Sequence, residues 1–312
     1  MEHRSIGSLS VSVIGIGCNN FGGRIDEAAT NIVVDTALES GINFFDTADV
    51  YGGTKSEEFL GRALGSRRDT ALIATKFGMP LDEERKGAAP AYIARAVEDS
   101  LCRLGTDRID LYQLHAPDPA TPIEETLGAL DELVRAGKVR EIGCSNFSAE
   151  QIEEAEQCSR DGRIARFVSV QNEYSLLRRG PERWGVLDAC EKHGLGFLPY
   201  FPLSSGVLSG KYRRDQPPPS GTRLAGMPDD RRTQLLSDKQ MDKVEALEQW
   251  AAHHGHSLLE LAFAWLLSRP VVSSVIAGAT KAEQVRTNAE AASWSLTHED
   301  LDEIEAVLAA VG

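Results

Sequence analysis

Four side chains that can hold or move protons stand at the ends of three short apolar runs. Asp46 and Tyr51 follow the first run, Lys76 ends the second, and His115 ends the third. A free phenol, with a pKa of about 10, is too weak an acid for efficient proton donation at neutral pH. A buried ammonium would lower that pKa, a carboxylate would hold the ammonium, and an imidazole could orient a carbonyl. The set therefore predicts proton donation to a carbonyl oxygen.

Each of these residues also has a structural interpretation. Asp46 could be a solvated loop acid, Tyr51 a loop aromatic, Lys76 an exposed charge, and His115 a half-buried imidazole. The joint interpretation is favoured because consecutive strand ends in a small barrel converge on one cleft. The set contains no nucleophile–base pair, and with one His, one Asp and no H-x-H we expect no metal site.

The elements that must position these residues recur at a regular spacing. The apolar runs are separated by amphipathic segments, and their ends are roughly 30 residues apart, the length of one βα unit. Several runs do not alternate polar and apolar residues, as is typical of parallel strands covered on both faces. This pattern predicts one (β/α)8 TIM barrel domain over residues 1–312. The predicted strands are 13–17, 42–46, 71–76, 110–115, 139–144, 167–172, 195–200 and 272–277.

Three segments lie outside this repeat. Residues 1–12 are predicted to form an N-terminal hairpin that turns at Gly7 and Ser8 and plugs the barrel floor. Residues 297–310 are predicted to form an extra C-terminal helix capped by Thr297. The long 211–236 segment, which has three consecutive prolines and five arginines, is interpreted as a lid rather than a disordered loop.

Other helix starts are predicted from capping boxes, in which a Ser or Thr is followed three residues later by Glu or Gln. The four boxes are Ser148 with Gln151, Ser237 with Gln240, Ser257 with Glu260, and Thr280 with Glu283.

The composition excludes some classes of partner. The 47 acidic and 33 basic side chains give a net charge of −14, which argues against binding along a nucleic-acid backbone. No apolar run reaches 18 residues and the N-terminus lacks a signal pattern, so we expect no membrane association and a cytoplasmic location. The five cysteines lack C-x-x-C or Cys/His clustering and are predicted to be free thiols.

Seven motifs together resemble the aldo-keto reductase superfamily, in the branch of bacterial enzymes and potassium-channel β-subunits. The resemblance runs nearly end to end, and its fold is a (β/α)8 barrel. The motifs are NFFDTADVYG at 43–52, ATKFG at 74–78, LYQLH at 111–115, GCSNFS at 143–148, VQNEYSLL at 170–177, PYFPLSSGVLSGKY at 199–212 and IAGATKAEQVRTN at 276–288.

The resemblance implies roles for individual residues. Asp46, Tyr51, Lys76 and His115 match the catalytic tetrad, with Tyr51 as the general acid. The cofactor residues are implied in four groups: Ser145, Asn146 and Gln171 for the nicotinamide carboxamide; Tyr200 for stacking on the nicotinamide ring; Pro202, Leu203, Ser204 and Lys211 for the pyrophosphate; and Gly278, Thr280, Gln284 and Asn288 for the adenosine phosphate.

The implied reaction is the reduction of aldehydes or ketones with NADPH. A helix capped by Thr280 would present free N–H groups and a positive dipole end to the 2′-phosphate, and Lys281 would add a charge in its first turn. Thr287 stands where some relatives carry a glutamate near the adenine ribose, which leaves NAD as the alternative cofactor.

Two other functions are compatible with parts of the pattern. A cofactor-bound regulatory subunit of the channel β-subunit type would share the same motifs, and turnover of an aldehyde separates it from a reductase. A metal-dependent barrel hydrolase is the second, and metal analysis tests it. The sequence predicts a small carbonyl or alcohol substrate without naming it, because barrel substrate loops vary most, and it does not predict the oligomeric state.

Overall fold

The computed structural model describes residues 1–311, which alternate between strands and helices. The strands are β1 His3–Ile6, β2 Leu9–Ser12, β3 Ile14–Gly17, β4 Phe44–Asp46, β5 Leu72–Phe77, β6 Ile109–Leu114, β7 Val139–Ser145, β8 Phe167–Glu173, β9 Gly196–Tyr200 and β10 Val275–Gly278. The helices are α1 Glu27–Glu39, α2 Lys55–Leu64, α3 Pro90–Leu104, α4 Ile123–Arg135, α5 Ala149–Gly162, α6 Gly180–Arg183, α7 Val186–His193, α8 Asp229–Leu235, α9 Asp238–His253, α10 Leu258–Leu267, α11 Ala282–Ala291 and α12 His298–Ala310.

Strands β3 to β10 form the predicted barrel. They pair in parallel in the order β10-β3-β4-β5-β6-β7-β8-β9. The barrel closes between β9 and the chain just before β10, where the Phe197 N–H donates to the Val271 carbonyl (2.8 Å) and the Ser273 N–H to the Phe197 carbonyl (3.0 Å). The (β/α)8 fold is therefore confirmed. The largest shift of a boundary is in the last strand, predicted at 272–277 and observed at Val275–Gly278, because its first residues serve this closure.

The N-terminal hairpin closes the barrel floor, as predicted. Strands β1 and β2 pair antiparallel with Ile6 opposite Leu9, and Gly7 turns the chain at a φ of +54°. A side chain at position 7 would collide with Glu141 and Val168. The floor is a buried apolar cluster of hairpin and inward-facing barrel side chains: Ile6, Leu9, Val11, Phe44, Ala74, Leu111, Leu198 and Ile276.

Strand alternation places a polar layer directly above this floor. Side chains two residues apart on a strand share a face, so Asp46 follows Phe44 into the barrel and Lys76 follows Ala74. The register sets Lys76 beside Gln113 on the next strand. The carboxyl ends of the strands therefore bring polar side chains together above an apolar seal.

Helix starts agree with three of the five predicted caps. Ser148 and Ser257 form complete capping boxes, and Thr297 caps the C-terminal helix α12, also in a box. At Ser237 the predicted box is wrong: α9 does begin there, but its Gln240 and Met241 N–H groups donate to the Ser237 carbonyl, and the hydroxyl makes no cap hydrogen bond in the described chain.

The box at Thr280 is also wrong. Helix α11 begins one residue later, with Lys281 as its N-cap. The Thr280 N–H and hydroxyl both donate to Gln284 Oε1, at 2.8 and 3.1 Å. The capping-box pattern predicts that the Thr280 hydroxyl accepts from a helix amide. Instead, it donates to the Gln284 side chain.

Two further predictions concern the cysteines and membrane-spanning helices. The five cysteines are free thiols, as predicted. Across residues 1–311, no helix is both long and apolar enough to cross a membrane.

Candidate active site

A cavity of about 860 Å³ opens at the carboxyl ends of the barrel strands. Its volume lies in the range of small-molecule and cofactor sites. Asp46, Tyr51 and His115 line it, and Lys76 lies behind them in the barrel wall. The structure therefore brings the four predicted catalytic residues to one place.

A buried ion pair forms the centre of this site. The Lys76 ammonium is fully buried and donates to Asp46 Oδ2 (2.7 Å) and to the Thr47 carbonyl (2.8 Å). Its third hydrogen bond goes to the Tyr51 hydroxyl at 3.5 Å. A buried ammonium is tolerated when all of its protons have acceptors, and here the longest of the three bonds reaches the phenol.

Two glutamines hold the other oxygen of Asp46. Gln113 and Gln171 donate through Nε2 to Asp46 Oδ1, at 3.2 and 2.8 Å. Gln171 was expected at the carboxamide, whereas Gln113 is a site residue that the sequence analysis missed. Its position in the sequence could have identified it, since Gln113 lies two residues before His115 and therefore on the same, inward face of its strand.

The electrostatics of Tyr51 differ from our expectation. Burial raises the pKa of Tyr51 above its ordinary value of 10.0, while the charge and hydrogen bond of Lys76 act in the opposite direction. The expected net lowering is therefore wrong, because burial outweighs the ammonium. Burial also opposes the charged form of Lys76, but Asp46 and Tyr51 together raise its pKa above 10.5. At neutral pH the phenol is thus protonated and the ammonium is charged.

Burial also keeps His115 neutral. Burial, and then the nearby Lys76 charge, lower the pKa of His115 to about 3. Its ring meets the Tyr51 ring edge-on, with centroids 5.8 Å apart. Its Nδ1 is buried and has no hydrogen-bond partner among residues 1–311. A neutral imidazole beside a phenol can donate one N–H to an oxygen placed between them.

The residues expected at the nicotinamide carboxamide form the part of the cavity wall next to His115. The Ser145 hydroxyl donates to the Gln171 carbonyl (2.7 Å). Asn146 donates through Nδ2 to the His115 carbonyl (2.9 Å) and accepts from the Tyr200 hydroxyl (2.8 Å). It does so from the left-handed region, at a φ of 63°. All four side chains named in this paragraph, with His115, line the cavity.

The segment after β9 wraps the cavity in a tight left-handed turn. Phe201, Ser204 and Ser205 have φ values of 50°, 47° and 59°. Pro202 and Leu203 line the cavity as expected. Ser204 is buried, and the wall at this point is formed instead by its neighbours Ser205 and Gly206.

Besides Lys281, three cations line the same cavity. Lys211 was expected there, whereas Arg24 and Arg223 were missed. Arg24 donates to the Gly221 carbonyl (3.1 Å), and Arg223 donates to the side-chain oxygens of Asn19 (3.3 Å) and Asn20 (3.1 Å). No sequence spacing connects residues about 200 positions apart, so the sequence carries no local signal of this contact.

The cations are not neutralised by carboxylates. Burial, followed by the charges of Arg24 and Arg223, lowers the pKa of Lys211. Within the described part of the chain none of the three forms an ion pair, although most of the other arginines do. Such a cluster in a cavity is suited to an anionic ligand.

The far end of the cavity is formed by the chain around the start of α11. Glu283 and Thr287 lie there beside the predicted residues. Because α11 starts at Ala282, Lys281 is its N-cap residue and not a first-turn residue. The predicted residues that line this end are Gly278, Thr280, Lys281, Gln284 and Asn288.

The 211–236 segment covers part of the opening. It contains a 3₁₀ turn at Leu224–Gly226 and helix α8, and residues 220–223 line the cavity. Arg214 ties it to α9 through Asp242 (2.6 Å) and Glu245 (3.1 Å). The interpretation of this segment as a lid stays a prediction.

The side chains of the site are suited to acid–base chemistry. Over residues 1–311, His, Cys, Asp and Glu side chains form no group of three suited to hold a metal ion. The arrangement instead supplies a protonated phenol, a neutral imidazole and an anion-binding wall.

The lowered pKa of His115 leads to a measurable expectation. A group whose neutral form is favoured in the fold stays neutral until the pH falls far below its ordinary pKa of about 6.5. The ring-proton NMR shifts of His115 should therefore be constant between about pH 5 and about pH 8. The His115→Asn variant identifies the resonance by its disappearance. An inflection near the ordinary value would show that the imidazole is solvated and charged.

Comparisons with known proteins identify the family of this chain. The family model described as "Aldo/keto reductase family" matches residues 13–309. A protein of Oryza sativa subsp. japonica named "Probable voltage-gated potassium channel subunit beta" is 34% identical over 317 residues, 99% of this chain and 97% of its own length. "Aldo-keto reductase YhdN" of Bacillus subtilis is 34% identical over 319 residues, covering 99% and 94%. "L-glyceraldehyde 3-phosphate reductase" of Escherichia coli is 30% identical over 307 residues, covering 93% and 87%. The chain therefore belongs to the aldo/keto reductase family, a family of oxidoreductases that bind nicotinamide cofactors.

Proposed function

We propose that this protein is an NADPH-dependent reductase of aldehydes and ketones, acting as a single domain, in which Tyr51 donates the proton. The observation that carries the proposal is the buried chain from Asp46 through Lys76 to the Tyr51 hydroxyl, at 2.7 and 3.5 Å. It ends in a cavity whose wall carries cations without carboxylate partners in residues 1–311.

The chain's residues fit a nicotinamide dinucleotide. Arg24, Lys211 and Arg223 would hold the diphosphate, since charge-assisted hydrogen bonds suit phosphate oxygens. The amide and hydroxyl groups of Ser145, Asn146 and Gln171 would bind the carboxamide, and the Tyr200 ring would stack on the nicotinamide. When bound, the cofactor supplies the hydride.

Proton transfer falls to the chain itself. A carbonyl oxygen placed between the Tyr51 hydroxyl and the neutral His115 ring would accept hydrogen bonds from both. As charge develops on that oxygen, the phenol proton moves to it and a phenolate is left. The adjacent Lys76 ammonium stabilises the phenolate, and Asp46 fixes the ammonium in place. The raised pKa of Tyr51 keeps the phenol protonated for this direction of reaction.

NADP is preferred over NAD on the basis of the α11 end of the cavity. Three features face it: the first amides of the helix, the positive end of the helix dipole, and Lys281. All of these favour a phosphate on the adenine ribose. Glu283 lines the same end and opposes that preference.

A second candidate is favoured by one comparison, the 34% identity to the rice protein named as a potassium-channel subunit. In that role the cofactor would be held as a ligand and slow chemistry would be tolerated. Turnover of a reactive aldehyde separates the two candidates.

Tyr51→Phe keeps the ring and removes the acid. We expect the hydride-transfer step to slow by roughly 10² to 10⁴, because general acid catalysis contributes about that factor. NADPH affinity should stay within about twofold, since the phenol faces the carbonyl substrate. Stopped-flow NADPH oxidation with a reactive aldehyde measures the first, and fluorescence titration measures the second.

Tyr112→Phe is the matched control. The Tyr112 hydroxyl is buried without a hydrogen-bond partner in the described chain, and the side chain packs on Phe77. This variant should retain the wild-type rate. A Tyr51→Phe enzyme as fast as the control would remove Tyr51 from the mechanism.

The cofactor assignment predicts that two variants lose cofactor affinity in different ways. NADPH should bind at least about tenfold tighter than NADH, since a charged hydrogen bond contributes about 1.5–3 kcal/mol. Lys281→Ala should narrow that gap, because it removes charge beside the 2′-phosphate. Arg223→Ala should weaken both cofactors by a similar factor, because it removes charge beside the diphosphate that they share.

Titrations of both cofactors at fixed salt, followed by Trp fluorescence, measure these constants. Equal dissociation constants in the wild type, or a preference for NADH, would contradict NADP specificity. A selective loss of NADPH binding in Arg223→Ala would instead place the 2′-phosphate at the lid.

A further inference from the structure

A second buried polar cluster lies on the outer face of the barrel, behind the catalytic strands. It is formed by the turn after β4, by β5 and β6, and by helices α2 and α3. Asp49, Glu57, Thr75 and Tyr112 are at most 1% exposed. None of these four lines the active-site cavity, so the proposed chemistry does not account for them.

The cluster holds two carboxyl groups and one guanidinium. Glu57 accepts from the Thr75 hydroxyl (2.6 Å) and from Arg103 Nε (2.6 Å), so Glu57 uses the positive charge. Asp49 Oδ2 receives the Tyr92 hydroxyl at 3.5 Å, and Oδ1 has no hydrogen-bond partner among residues 1–311. Asp49 therefore lacks the hydrogen bonds and the cation that would stabilise it as an anion.

Burial and the charge of Glu57 favour the neutral form of Asp49. Glu57 faces it from α2, Arg103 and Tyr92 from α3, and Tyr112 from β6. On β5, the Lys76 ammonium lies on the inner face and is bonded to Asp46. Burial, and then Glu57, raise the pKa of Asp49 from 3.8 to about 7, against Arg103, the Val50 amide and Tyr92.

The same turn carries the proposed acid. The Asp49 N–H donates to the Lys76 carbonyl (3.1 Å), and the Thr47 N–H to the Ala74 carbonyl (2.8 Å). Tyr51 follows two residues later, and its hydroxyl is held by the longest hydrogen bond of the Lys76 ammonium. A shift of this turn away from β5 would act first on that bond.

We propose that Asp49 is a positioning residue that works in its protonated form, and that its ionisation loosens the 47–51 turn that holds the Tyr51 phenol against Lys76. The proposal rests on the proposed function in taking Tyr51 as the acid. A protonated carboxyl can donate to the Tyr92 hydroxyl and is not repelled by Glu57. An ionised one would be a second buried anion without a cation of its own, which is costly.

The sign of the pH dependence follows from the raised pKa. An acid whose pKa is higher in the fold than in the unfolded chain favours the fold at low pH, and this contribution is lost as the pH rises through both values. The loss develops between about pH 4 and about pH 7. An asparagine at this position, with nearly the same shape and no charge, would not show it.

The test compares wild type with Asp49→Asn by urea unfolding across this pH range. The unfolding equilibrium constant of wild type, relative to that of the variant, should rise by roughly 10- to 1000-fold from low to high pH, since each unit of pKa shift is a factor of about ten. Asp188→Asn, an exposed change on α7, is the control and should follow wild type. Difference infrared spectroscopy of wild type should show a protonated carboxyl at about pH 6 that Asp49→Asn removes.

Turnover gives the functional readout. Asp49→Asn should keep the wild-type kcat at low pH and extend it to higher pH, because the turn no longer loosens. Parallel unfolding curves, an infrared band unchanged by the variant, or a kcat lowered by Asn at every pH would overturn the proposal. Unfolding and infrared spectra need no substrate, so a failed Asp49 assignment is distinguished from a failed Tyr51 assignment.

Discussion

The site depends on burying one ammonium group in the wall of the barrel. Lys76 is fully buried, and such a charge costs several kcal/mol unless every proton has an acceptor. The Asp46 carboxylate and the Thr47 carbonyl accept two of its hydrogen bonds. Asp46 also accepts from Gln113 and Gln171, so one carboxylate connects strands β4, β5, β6 and β8. The Tyr51 hydroxyl accepts the third hydrogen bond of the ammonium. The apolar floor below this layer keeps out the water that would otherwise screen the pair.

The local charge in the cavity is opposite in sign to the net charge of the molecule. The chain carries a net charge of −14, yet Arg24, Lys211 and Arg223 gather in the cavity. Burial, and then the charge of Arg24, lower the pKa of Lys211 and the pKa of Arg223. On the proposed function, the phosphate groups of a bound cofactor would relieve their repulsion. Arg223 comes from the 211–236 segment, so this segment supplies one of the three charges.

Much of the fold, and the meeting of the four candidate catalytic residues at one end of it, could be predicted from sequence, because both follow from local periodicity. Strand ends recur at a fixed spacing, and whatever follows them must meet at one end of a barrel. Long-range contacts carry no such signal, and for that reason Arg223 was missed. The Thr280 cap failed because Gln284, a few residues away, takes its hydroxyl. The direction of the Tyr51 pKa also failed, since burial cannot be weighed against a neighbouring charge before both are placed.

The central claim is that Lys76 tunes the phenol of Tyr51 as well as filling space beside it. The most direct test is the pH dependence of single-turnover reduction for wild type and Lys76→Met, with a reactive aldehyde and saturating NADPH. Because Lys76 lowers the pKa of Tyr51 against the effect of burial, its removal should slow the reaction and move the alkaline limb to higher pH. An alkaline limb at the same pH in both proteins, at a measurable rate with hydride transfer limiting, would show that Lys76 is structural and would contradict the claim.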